Sequence, residues 1–120
     1  FVWIPSLKAV VGGVVVADNL HVWMADTQTP QSHKQWLATL KRIDSLQPKI
    51  VVPGHYLGQS DHSLKAVHFT RDYIKAFDEE TIKAKDSGEL IAAMKKRYPQ
   101  LGEESSLELS AKVAKGEMKW

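Results

Sequence analysis

The sequence predicts a layered α/β fold, a small mixed sheet covered by helices with a helical C-terminal part. Two observations carry that reading. Residues 1–60 hold short β-branched runs around one amphipathic segment, whereas from residue 63 onward apolar residues recur at helical spacing. Charge divides the same way, with five Lys/Arg and three Asp/Glu in residues 1–60 and eleven of each in residues 61–120. At 120 residues the chain has room for a single domain.

Taken in order, Phe1-Val2-Trp3-Ile4 reads as a buried strand ending at Pro5. Lys8 to Asp18 holds two β-branched runs broken by Gly12-Gly13, so it forms two strands or one strand with a bulge or tight turn. In the second run Val14, Val16 and Asp18 share a face. A third apolar patch, Leu20 to Ala25, closes on Asp26-Thr27-Gln28-Thr29-Pro30, where Thr29 before Pro30 is a helix start. Trp36, Leu37, Leu40, Ile43 and Leu46 then follow at helical spacing and stop before Pro48. Lys49-Ile50-Val51-Val52 is a short strand ending in Pro53-Gly54-His55, which completes a βαβ pattern. Leu64, Val67, Ile74 and Phe77 mark one face of a helix from Ser63 that can run through Ala84. Asp86 with Glu89, and Ser105 with Glu108, read as capping boxes for two further helices, one ending near Tyr98-Pro99 and one stopping at Gly116.

Composition excludes several functions. The absence of cysteine removes disulfides, thiolate nucleophiles and cysteine metal sites, so any metal must bind through His and carboxylates. A formal charge of +2 leaves no large positive field, so nucleic acid is not an expected partner. The longest uncharged apolar run, Ala9 to Ala17, is shorter than the about 20 residues that span a bilayer, so no membrane is expected either. No Gly-x-Ser-x-Gly elbow and no phosphate-binding glycine loop with its lysine is present. Lys95-Lys96-Arg97 reads as a solvated run at a helix C-terminus. The residues include no targeting segment, and the compartment stays open.

Five histidines combine metal-ligand chemistry with titration near neutrality. His33 and His68 fall on helices and read as solvated or core-edge groups, and His62, beside Asp61, reads as part of a surface loop. His55 differs, because it follows a buried strand by a Pro-Gly corner and so stands at the carboxyl edge of a sheet, where open α/β sheets place ligands. A structural His capping the sheet edge fits the same residues. Asp18 and His21 are candidate ligands nearby, although Asp18-Asn19 also reads as a hairpin turn, and Asp26 reads as a turn or capping residue. Trp23, Tyr56 and Leu57 are candidates for a substrate cleft or for core.

Lys-Ile-Val-Val-Pro-Gly-His at 49–55, preceded by the Trp36-Leu37-x-x-Leu40 helix and a Gly-rich β-hairpin ending His21-Val22-Trp23, resembles the C-terminal half of the metallo-β-lactamase superfamily. The resemblance covers residues 1–60. It implies half of an αββα sandwich that holds one or two metals, usually zinc, in a cleft at the sheet edges. It implies hydrolysis at a carbonyl or phosphoryl centre and makes His55 the last metal ligand. The family's His-x-His-x-Asp-His motif is absent from these residues, and Gly12-Gly13-Val14 stands where the family often has Gly-Asp.

The reading that follows is the C-terminal portion of a metal-dependent hydrolase, with residues 1–120 as one domain whose partner is the N-terminal half of the same protein. Phe1, a hydrophobic start without a lead-in, agrees with missing upstream sequence. The chain alone is expected to be inactive, to hold no zinc tightly and to associate, for example as a homodimer, through exposed apolar surface. The alternative is a non-catalytic α/β binding or assembly module. Substrate and metal number stay open.

Overall fold

A computed structural model describes residues 1–120 apart from Leu57, Gln59 and Asp61, and apart from the side chain of Val14. The expectations placed on Leu57, on Asp61 and on the face occupied by Val14 lie outside the described residues. The fold is α/β, with five short strands and four helices among the described residues.

Strands β1 (Val2–Ile4), β2 (Ala9–Val11) and β4 (Ile50–Val52) form a mixed sheet in the order β1-β2-β4, antiparallel then parallel. Strands β3 (Ala17–Asp18) and β5 (His55–Tyr56) form a second, parallel pair. The segments on either side of Gly12-Gly13 are therefore not a hairpin. β2 and β3 each pair with the chain that carries β4 and β5, and a 3-10 turn over Gly13–Val15 separates them. Sequence periodicity sees the β-branched runs but not which strand each run will bond.

Register separates the two faces of the three-stranded sheet. The row Trp3, Val10, Val51 points into the core, where Val10 and Val51 are fully buried. The flanking rows, Val2-Val11-Val52 and Ile4-Ala9-Ile50, point the other way; in them Ala9 is buried and Ile4 and Val52 are half-buried. Val2 is 58% exposed, Ile50 43% and Val11 41%, so this apolar face is bare at these three residues.

Helices cover the inner face. α1 (Pro30–Ser45) starts at Thr29, whose hydroxyl accepts from the Ser32 amide while the Ser32 hydroxyl accepts from the Thr29 amide, a reciprocal cap. Trp36, Leu40 and Ile43 are its buried stripe. α2 (Leu64–Lys83) is the spine of the core and contributes Val67, Tyr73, Ile74 and Phe77. α3 (Ser87–Arg97) starts at Asp86, which caps the Glu89 amide; the Glu89 carboxylate accepts from the Lys85 amide rather than from the cap residue itself. α4 (Glu104–Ala114) starts one turn's edge earlier than expected, on Glu103 in a left-handed conformation (φ 60°), so Ser105 lies inside the helix instead of capping it.

Side-chain to backbone bonds fasten the helical half to the strands. Thr70 of α2 accepts from the Ala17 amide and donates toward the Ala17 carbonyl, each at 2.9 Å, and so serves β3 as a neighbouring strand would. Ser110 of α4 accepts from the Met24 amide, and the His21 amide donates to the Gly102 carbonyl. The second half is thus built onto the first. Replacing Thr70 by Val orphans the buried Ala17 amide and is expected to cost about 1–3 kcal/mol in urea unfolding, with Thr70→Ser keeping most of it.

Two histidines tie the layers together with opposite electrostatics. His33 of α1 reaches Asp78 of α2 through Nδ1 (2.6 Å) and the Thr27 carbonyl through Nε2 (2.5 Å), so the imidazolium satisfies both acceptors. Its pKa is raised, chiefly by the hydrogen bond to Asp78, against the effect of burial. His21 is buried, and desolvation lowers its pKa while burial raises that of its partner Tyr73. His21 Nδ1 and the Tyr73 hydroxyl are hydrogen-bonded at 2.9 Å. His33 therefore adds stability that is complete below about pH 6.5 and is lost as pH rises through its raised folded value. His21 acts oppositely, because stability is lost as pH falls below about 6.5 through its lowered folded value. Unfolding across this range is expected to show the alkaline loss flattened by Asp78→Asn and the acid loss flattened by His21→Gln.

Candidate metal centre

The corner after β4 is built from three glycines. Val51 anchors the strand in the core, and Pro53 is buried at its end. The Gly54 amide donates to the Val16 carbonyl and the Gly12 amide to the Val52 carbonyl, each at 2.9 Å, which lays the 12–16 loop across the corner. The approach is so close that a Cβ on Gly54 would lie 2.0 Å from the Gly13 carbonyl oxygen, and one on Gly12 would lie 2.4 Å from the Val16 side chain. Gly13 itself has φ +57°, a conformation that L side chains rarely adopt. Trp36 holds the loop from the α1 side, its indole N–H donating to the Val15 carbonyl at 2.9 Å.

His55 and Tyr56 emerge from this corner exposed, in parallel register with Ala17 and Asp18. Asp18 and His55 thus occupy adjacent strands, one residue out of register. The His55 ring makes no hydrogen bond among the described residues, so both nitrogens are open. Asp18 accepts from the Ser60 hydroxyl at 3.1 Å, and that same hydroxyl accepts from the His62 amide at 3.2 Å. His62 returns the loop to the sheet, its carbonyl taking the Val51 amide at 2.8 Å and its ring standing edge-on to Tyr56 at 5.9 Å. Its Nε2 is buried with no hydrogen-bond partner among the described residues. Reading His62 as part of a surface loop does not show this placement, because no spacing in the sequence reports that the His62 carbonyl bonds back to β4.

The other expected site residues lie in other surroundings. His21 faces Tyr73 within the core, its Nδ1 already occupied, which leaves it poorly suited to a metal. Trp23 stacks edge-on against Trp120 at 5.2 Å, and both indoles donate to the carboxylate of Asp26. Asp26 is therefore a clamp for two tryptophans.

As donors, the open imidazole of His55 and the half-exposed carboxylate of Asp18 fit a zinc-like ion. Among the described residues no group of three His or carboxylate side chains is gathered tightly enough to hold one, so further ligands would have to come from elsewhere. Comparison with protein families, curated proteins and solved structures finds no match to the chain.

Because only a hydrogen fits between Gly54 and the Gly13 carbonyl, Gly54→Ala is expected to cost about 1–3 kcal/mol by overpacking, measured as a fall in Tm. Ala substitution at the equally exposed Gly58 turn, where nothing lies within 4 Å but φ is +70°, tests backbone strain without the clash and is expected to cost less.

Proposed function

We propose that the chain is the C-terminal half of a metal-dependent, zinc-type hydrolase of the metallo-β-lactamase superfamily, with His55 as its contribution to the metal. The observation that carries the reading is the aliphatic outer face of the sheet, exposed at Val2, Val11 and Ile50, with an open His55 just beyond its carboxyl edge. A sheet with helices on one side and an apolar second side demands another layer. In an αββα sandwich that layer is the sheet of the other half, and the cleft between sheet edges is where His55 would meet the remaining ligands.

In this reading His55 supplies a neutral imidazole and Asp18 a second donor steadied by Ser60, while the Gly12–Gly54 contact keeps the corner from drifting. When bound, the metal lowers the pKa of a water to about 7 and polarises the substrate oxygen. Tyr56, exposed beside His55, is the side chain that would contact substrate in this reading.

Metal analysis of the full-length protein tests the assignment. Wild type is expected to carry zinc and His55→Ala to lose most of it, with His68→Ala as a control that keeps it. Equal loading in all three removes His55 from the site. Coding sequence upstream of Phe1 should contain His-x-His-x-Asp-His, and its absence overturns the hydrolase reading. The isolated 120-residue chain is expected to associate and to bind an apolar dye, and Val11→Lys to reduce both.

A further inference from the structure

His33, only 8% exposed, is a point where three parts of the chain meet. It stands near the start of α1, its Nδ1 reaches Asp78 of α2, and its Nε2 reaches the Thr27 carbonyl in the segment between Met24 and α1. Both partners are acceptors, and only an imidazolium donates from both ring nitrogens. A neutral ring keeps one N–H. With that proton held by the Asp78 carboxylate, the Nε2 lone pair faces the Thr27 carbonyl oxygen at 2.5 Å, and attraction becomes repulsion.

The surroundings leave this bond in control of the segment. From Ala25 to Gln28 it is the one backbone tie to a helix among the described residues, since the Thr27 amide bonds only within the segment, to the Met24 carbonyl. Thr27 is also held unfavourably. Its hydroxyl is buried with no hydrogen-bond partner among the described residues, a desolvation penalty that release into water removes. Asp78 is the charged group that faces the ring: α1 places no acid in its first turn, the neighbouring Lys34 is exposed, and the Asp26 carboxylate of the segment is turned to the Trp23 and Trp120 indoles. Because Asp26 clamps both indoles, movement of the segment reaches them.

We propose that His33 is a pH-sensitive latch: as an imidazolium it closes residues 25–28 onto α1 and α2, and on losing its proton it releases them together with the Asp26 clamp. A buried histidine that biases a two-state segment is a general design for such a switch. The hydrogen bond to Asp78 raises the His33 pKa against the effect of burial, so the latch is closed on the acid side and opens above about pH 6.5. The opening is a local event at the tryptophan clamp and makes no use of the His55 corner.

The test is fluorine NMR of the chain labelled with 5-fluorotryptophan and titrated across about pH 5.5–9. Trp23→Phe and Trp120→Phe assign the two signals, and Asp26→Ala marks their released positions. Both signals are expected to move toward those positions with a midpoint above about pH 6.5. In Asp78→Asn the midpoint should fall by about one pH unit or more, because the carboxylate that holds the proton is gone. In Thr27→Val, which removes the unpartnered hydroxyl at nearly constant shape, it should rise. His33→Gln, with no proton to lose, should abolish the transition. Indole signals that stay fixed across the range overturn the proposal, as does a transition that persists in His33→Gln or keeps its midpoint in Asp78→Asn or in Thr27→Val.

Discussion

The chain's architecture depends on one close backbone contact, the Gly13 carbonyl against Gly54. Two strands, β2 and β4, run in parallel and are interrupted at the same level, one by five residues and the other by two. The longer interruption can fold over the shorter only because no Cβ stands at Gly54 or Gly12. Beyond it the chains rejoin as β3 and β5, with Val16 and Gly54 already bonded. A rigid Pro-Gly corner and a loop laid across it together fix where His55 leaves the sheet. Trp36 from α1 and Thr70 from α2 then hold the loop and β3 from the helical side, so the corner is rooted in the core rather than carried on a flexible loop.

The sheet that meets this corner is asymmetric. One row of side chains is buried under helices, and two rows of aliphatic residues face outward. A monomer tolerates scattered exposed apolar groups, but a contiguous β-branched face is a surface shaped to be covered. The helical half is not a loose appendage, since the Ser110 hydroxyl accepts from the Met24 amide and the Gly102 carbonyl from the His21 amide. The unit is complete on its helical side and open on its sheet side, and the candidate metal corner stands beside the open side.

Much of this was legible in residue order. Thr29-Pro30 and Asp86 start helices where their capping chemistry says they should, and apolar spacing marks the start of α2 at Ser63 and the buried stripes of α1 and α2. What residue order did not show was pairing. Gly12-Gly13 reads equally as hairpin, bulge or turn, and the choice is made by a tertiary contact with Gly54, some forty residues away in sequence. Ser105 failed as a cap because Leu101 and Gly102 are drawn to Tyr98 and His21, which sets the start of α4 at Glu103. The position of His55, exposed directly after the Pro-Gly corner, was legible in residue order. The burial of His21 was not, because its partner Tyr73 is 52 positions away. The Asp26 clamp of two tryptophans was hidden for the same reason, with Trp120 94 positions from its acceptor.

The central claim is that the bare sheet face is an internal surface of a larger sandwich. The most direct measurement is maleimide labelling of Val11→Cys, introduced into a chain that has no cysteine of its own. Comparison is made between the full-length protein folded and the same protein in denaturant, with any upstream cysteines replaced. If the face packs against a second sheet, labelling of the folded protein is slowed at least about a hundredfold, as expected where access requires an opening reaction of a few kcal/mol. Labelling at the denatured rate in the folded full-length protein would mean that the face is solvent-exposed there, and would contradict the account.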